Sequence, residues 1–162
     1  MTEQTEPQGI SLADELESFV QYEAATRGQR FVNWLIDNLF MRFVLAQLTG
    51  RLVVYILQAL FPEYILGISY SDDPWDLLLI SFAIGIFNYV FYYTICEKAF
   101  QGRTVGKVIS GTRTIRNDGA ELTFRDALLR SVSRLVPFEV FSGFGDPWHD
   151  TWTNTRVIKT RR

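Results

Sequence analysis

The stretch LLLISFAIGIFNYVFYYTI, residues 77–95, decides the fold class. It carries no charged residue. As a helix rising 1.5 Å per residue it reaches about 30 Å, the thickness of a bilayer hydrocarbon core. Gly85 and Asn88 are tolerable in such a segment, and Tyr92 and Tyr93 suit an interfacial aromatic belt. A buried helix of a soluble protein would look similar in isolation. The membrane reading is preferred because a second long apolar segment, residues 31–61, precedes it.

That first segment is interrupted by Asp37, Arg42, Gln47, Arg51 and Gln58. On a continuous helix turning about 100° per residue, Arg30, Asn33, Gln47, Arg51 and Gln58 fall with Asp37 inside an arc of about 100°. Such a stripe is expected to face protein or trapped water rather than lipid. Pro62 ends the segment. The residues from Pro62 to Asp76 read as a loop that holds Glu63, Asp72, Asp73 and Asp76 and no base.

Charge is segregated along the chain. The net formal charge is only −2 over 162 residues, but the first 29 hold six acids and one base, and Lys98 to Arg134 holds eight bases. The positive-inside rule then places both termini in the cytoplasm and residues 62–76 outside, in a multi-pass protein of the cell membrane. Nothing is basic enough overall to suggest nucleic acid. Residues 1–28 read as an acidic, flexible tail with a short amphipathic helix, Ser11 to Tyr22, ended by Gly28. This N-terminus lacks the basic-then-apolar order of a secretory signal.

Beyond Cys96 the character changes. Residues 102–107, GRTVGK, form a glycine-punctuated turn, and Asn117-Asp118-Gly119 signals a β-hairpin. Thr123 and Asp126 resemble a capping box. The helix that follows, Phe124 to Val136, is amphipathic, with Arg130 and Arg134 opposite its apolar face, as in a helix lying in the membrane interface. A terminal strand is expected at Thr155 to Lys159. The fold class is therefore mainly α: two transmembrane helices (about 31–61 and 77–95), an amphipathic interfacial helix and a small cytoplasmic β-hairpin, within a domain spanning 29–160.

Several of these residues resemble a known family. Arg30-Phe31 with Leu35-Ile36-Asp37, the run from Gly102 to Lys107 with Gly111 and Asn117-Asp118-Gly119, Arg130 with Pro137, and Trp148-His149-Asp150 with Thr155 and Val157 together resemble the RDD family of integral membrane proteins. The family is named for an arginine and two aspartates, and the resemblance covers about residues 25–160. It implies a triad of Arg30, Asp37 and Asp150. For some members, transport of a small solute or ion has been suggested. Many members carry another apolar span where this chain has only Phe138 to Gly145, which is expected to be interfacial or re-entrant.

Arg30, Asp37 and Asp150 are thus the candidate polar or ion site, with Asn33, Arg51, Arg130, Arg134 and His149 in support. One reading makes Asp37 a cation or proton site, in an oligomer that passes a small solute or ion. The other makes the triad a structural polar clamp in a non-transporting scaffold or interaction module. Partners are then the lipid bilayer and a second copy or another membrane protein. Arg103 and Lys107 are expected against lipid headgroups. GRTVGK lacks the spacing and the following Ser or Thr of a phosphate loop. His149 and Cys96, one of each, could not complete a zinc set. No GxSxG nucleophile motif is present. Neither catalysis nor a cofactor is expected.

Overall fold

A computed structural model describes residues 22–70, 74–137, 139–142 and 147–160. The amphipathic helix and most of the tail expected before residue 22 lie outside the described residues. So do both ends of the Phe138 to Gly145 segment.

Helix α1 (Arg27–Phe40) starts at Thr26 with a capping box. Thr26 Oγ1 accepts the Gln29 N–H at 3.2 Å, and Gln29 Oε1 accepts the Thr26 N–H at 3.0 Å. The cap carries the helix through Gly28, which therefore does not end a preceding one. A π turn, Met41–Leu45, joins α1 to α2 (Ala46–Leu60) in one 34-residue rod.

The π turn corrects the expected polar stripe. A π turn holds roughly one extra residue, so every later position lags by about 100°. That swings Gln47, Arg51 and Gln58 away from Asp37 and brings Thr49 to within about 20° of it. Accordingly Asn33, Asp37 and Met41 are buried, Asn88 Nδ2 donates to Thr49 Oγ1 at 2.7 Å, and Gln47, Arg51 and Gln58 are exposed.

Pro62 opens α3 (Pro62–Tyr70) instead of a loop. Proline is pre-organised for the first turn of a helix, where its missing N–H is not needed. Helix α4 (Pro74–Ala99) contains the opening stretch and extends it at both ends. Two helical stretches, Arg27–Leu60 and Leu77–Ala99, are long and apolar enough to cross a membrane. Their burial is inside out. Phe43, Leu48, Tyr55, Leu79, Phe82 and Phe87 are more than half exposed, while Asn33, Asp37, Asn88, Thr94 and Glu97 are buried. An apolar exterior around a polar interior suits lipid as the solvent.

Past α4 the chain turns through Gln101 and Gly102 at positive φ into α5 (Val105–Ser110), capped by Thr104, and then β1 (Thr112–Arg116). Asn117 to Gly119 does turn the chain, but no hairpin forms. The Thr123–Asp126 capping box starts α6 (Phe124–Ser133) at once, so only Ala120 to Leu122 remain, too few for a return strand. After a helical turn, α7 (Glu139–Ser142), and a second, α8 (Trp148–Thr151), β2 (Thr155–Lys159) supplies the partner. It runs antiparallel to β1, with Thr112 opposite Lys159 and Arg116 opposite Thr155. On its other side the Ala25 N–H donates to Val157 O at 2.9 Å, and the Lys159 N–H to Glu23 O at 2.9 Å. The expected hairpin is thus a non-local pair that ties the entry of α1 to the chain beyond residue 154.

Helix α6 is the second reversal. Its apolar side chains Phe124, Leu129 and Val132 are exposed, whereas Ala127, Arg130, Ser131 and Ser133 are buried. Thr94 Oγ1 on α4 donates to Ser131 Oγ at 3.0 Å across that contact. The apolar face still suits a membrane interface, but the basic face is a core face and not a solvated one.

Candidate functional site

The buried end of α4 places Glu97 where three cations converge. Its Oε1 accepts from Lys107 Nζ at 2.6 Å and from Arg134 Nη2 at 2.9 Å, and its Oε2 from Arg130 Nε at 3.0 Å. Lys107 comes from α5 and also donates to Thr114 Oγ1 on β1 at 2.6 Å. Arg130, fully buried, reaches on through Nη1 to Asp150 Oδ1 at 2.7 Å and to the Thr155 hydroxyl. The second Asp150 oxygen accepts from Arg30. One continuous network of charges therefore crosses α1, α4, α5, α6, α8 and both strands.

Asp37 forms a separate hub two turns along α1 from Arg30. Its acceptors are filled by neutral donors: Tyr92 Oη at 2.7 Å, Thr104 Oγ1 at 2.6 Å and the Gly106 N–H at 2.8 Å. Asp37 thus holds the start of α5 against α1. Gly106 permits this closeness, since a Cβ there would stand 2.4 Å from Asn33 O. One turn before Asp37, the Asn33 amide meets the hydroxyls of Ser110 and Thr112. With its nitrogen toward Ser110 it also donates to Gly106 O and Gln29 O at 3.1 Å, and its oxygen accepts from Thr112 at 3.0 Å.

The candidates divide as follows. Arg30 and Asp150 are ion-paired, as a clamp requires, while Asp37 touches neither. Asn33, Arg130, Arg134 and His149 lie in the same buried region. Arg51 is exposed on α2 and takes no part. Lys107, expected against headgroups, is only 3% exposed and belongs to the core, because the left-handed turn at Gly102 points α5 inward. Arg103 remains partly exposed. Glu97, Thr104 and Tyr92 were missed. Glu97 had a signal: it is the one acid between residues 77 and 117, beside a run of bases that needs a counter-charge.

Burial shapes the protonation of the part beyond the spans. It pushes the Lys107 ammonium down to about 8, against the pull of Glu97. Burial alone would raise Asp150, but the Arg130 guanidinium, with Arg30 beside it, holds that carboxyl well below the usual range. His149 is pushed down to about 4 by burial and by Arg134, against the attraction of Glu139 and Asp150. Its ring is therefore neutral at pH 7 and donates from Nδ1 to Glu139.

This gives a pH signature. An unfolded histidine titrates near pH 6.5, so between about pH 6.5 and 4 the unfolded chain binds more protons than the folded one. The stability tied to neutral His149 is present above that window and is lost as pH falls through it, to a limit of roughly 3 kcal/mol. Melting curves at pH 7 and 4.5 should show the loss, and His149→Gln should remove its share. An identical slope in the variant would count against this assignment.

A cavity of about 290 Å³ lies beside the network, bordered by Phe31, Trp34, Asp37, Tyr93, Arg134 and His149 among others. Among the described residues, no group of three or more His, Cys, Asp and Glu could hold a metal ion. The chain matches the RDD family over residues 24–147, about three quarters of its length. That match stops just short of His149 and Asp150. No curated protein and no solved structure matches the chain.

Proposed function

Because this chain belongs to the RDD family and is a membrane protein, we propose that it is a membrane scaffold in which Arg30, Asp37 and Asp150 act as a polar clamp. The observation that carries this reading is that all three side chains are engaged within the fold and both carboxylates have their oxygens filled. Asp37 spends its oxygens on Tyr92, Thr104 and Gly106, and Asp150 accepts from Arg30 Nη1 on one oxygen and from Arg130 Nη1 on the other. A group that must bind and release an ion during transport keeps coordination to exchange, and these do not. The clamp joins two spans to the sheet and α6, a platform on which another protein can dock.

The transport reading keeps one supporting observation, the cavity that reaches Asp37. Asp37→Asn separates the two. The amide can keep its oxygen on Tyr92 and Gly106, but its NH2 then meets the Thr104 hydroxyl, whose own proton loses its acceptor, and the charge that strengthened all three bonds is gone. An orphaned buried donor costs about 1–3 kcal/mol. The clamp reading expects a clearly lower melting temperature. A variant that melts like wild type while losing ion flux in proteoliposomes would overturn it in favour of transport.

In this reading the protein crosses the membrane twice. The bases Arg27, Arg30, Lys98, Arg103, Lys107, Arg130 and Arg134 gather at one end, and no Lys or Arg occurs between Arg51 and Lys98. That bias supports cytoplasmic termini with α3 on the outer side. In a Cys96→Ser background, Glu63→Cys should react with a membrane-impermeant thiol reagent added to intact cells. Reaction only after lysis would reverse the orientation.

A further inference from the structure

The cavity beside the network has a wall of unusual composition. Four cations reach it, Arg27, Arg30, Lys107 and Arg134, and two carboxylates, Asp37 and Glu139. The carboxylates are already occupied, Asp37 by three donors and Glu139 by His149. Arg30 and Lys107 are likewise committed to Asp150 and Glu97.

Arg134 is not fully committed. Its side chain is only 8% exposed, its Nη2 serves Glu97, and its guanidinium carbon stacks 4.2 Å over the Tyr93 ring. Its Nη1 is buried and finds no acceptor among the described residues. A buried guanidinium nitrogen left without an acceptor selects for an anion, because charge-assisted bonds to phosphate or carboxylate are the strong ones available to it. Arg27 adds an exposed cation to the same wall and forms no ion pair among the described residues.

The remaining wall is aromatic. Phe31 and Trp34 line the cavity and are also exposed on the outer apolar face of α1. The 34-residue rod is about 50 Å long, against a hydrocarbon core of roughly 30 Å. Its first turns, which carry Arg27, Phe31 and Trp34, therefore reach headgroup depth. A cavity of about 290 Å³ suits a headgroup and leaves the chains outside.

Taken together, the geometry points to a binding site for an anionic phospholipid, its phosphate diester held between Arg134 and Arg27 and its chains leaving past Phe31 and Trp34. The site is separate from the clamp, since it uses the donors the clamp leaves free.

Native mass spectrometry of the full chain, released from micelles containing phosphatidylglycerol or phosphatidylcholine, tests this. Phosphatidylglycerol should be retained about tenfold more tightly, because phosphatidylcholine offers the same phosphate but brings a choline cation to a wall that already carries Arg27, Arg30, Lys107 and Arg134. Arg134→Lys keeps a cation opposite Glu97 but lacks Nη1, and should weaken retention of phosphatidylglycerol about tenfold. Arg27→Gln, at an exposed position outside the clamp, should weaken phosphatidylglycerol about fivefold with an unchanged melting temperature. It serves as the test if the Arg134 variant does not fold. Equal retention of the two lipids by wild type, or wild-type retention of phosphatidylglycerol by Arg27→Gln, overturns the proposal. Displacement of phosphatidylglycerol by equimolar inorganic phosphate would show a free-anion site and overturn the lipid assignment.

Discussion

Glu97→Gln should leave the protein unfolded or close to it, with a stability loss of about 3–5 kcal/mol, the usual consequence of removing one partner from a buried ion pair. The position is more exposed to this effect than an ordinary pair, because Lys107, Arg130 and Arg134 all direct a donor at the one carboxylate. The amide preserves shape and one acceptor but removes the charge, and its NH2 confronts either Arg130 or the pair of Lys107 and Arg134. Lys107 can escape by losing its proton, having already been pushed down to about 8. The two arginines cannot, since a guanidinium stays protonated in proteins. Typical total stability is only 5–15 kcal/mol, so such a loss is visible in any melting experiment. Circular dichroism melts and size-exclusion profiles in mild detergent are the check. A variant that remains monodisperse and melts within a few degrees of wild type would mean that the cations find other counter-charges.

Gly102→Ala is expected to be nearly as damaging, for a steric reason instead of an electrostatic one. Gly102 has φ +82°, and its added Cβ would lie 1.9 Å from Thr114 O. A left-handed conformation costs a non-glycine residue roughly 1–2 kcal/mol, and forcing an extra carbon into a packed site adds about 1–3 kcal/mol. The obstructing atom is backbone of β1, which cannot rotate aside. The Thr114 N–H also donates to Gly102 O at 2.8 Å, so retreat breaks a hydrogen bond. Alanine at exposed Gly67, where a Cβ meets nothing within 4 Å, is the matched control and should be tolerated. Equal melting temperatures for the two variants would refute the steric account.

Residues 77–95 could be read as a span because composition alone decides that question. The Thr123 cap was legible for a similar reason: its hydrogen bonds close within four residues. Expectation and structure part wherever the partner lies far along the chain. Lys107 to Ile115 carries β-type residues and reads as half of a hairpin because the turn after it is genuine, yet its first part belongs to α5 and Thr112 to Arg116 pairs with Thr155 to Lys159. The wheel for α6 separates the faces correctly, and only the basic one lies in other surroundings than expected, the core instead of solvent. In lipid an amphipathic helix turns its apolar side outward, so Arg130 and Arg134 became core residues. The stripe through Gln47, Arg51 and Gln58 failed on a single π turn, which local residue preferences do not announce. Asp37 stood out because a charge inside an apolar segment is costly. Glu97, just past the end of one, did not.

The pair of Arg30 and Asp150 joins residues separated by 120 positions. At synthesis rates of about 5–20 residues per second, Asp150 emerges roughly 6–24 s after Arg30. By the end of that interval both long apolar helices and Arg130 have left the ribosome, while Arg30 and Arg130 still lack their shared carboxylate and β1 lacks β2. Closure over so long a loop is also intrinsically slow. The nascent protein therefore passes through a stage with its cationic interior unlatched, and the segment from Trp148 to Lys159 ends it. A chain stalled or clipped before that segment would keep the exposed charges of an unfinished product, a chemical mark by which membrane quality control can tell it from a completed one.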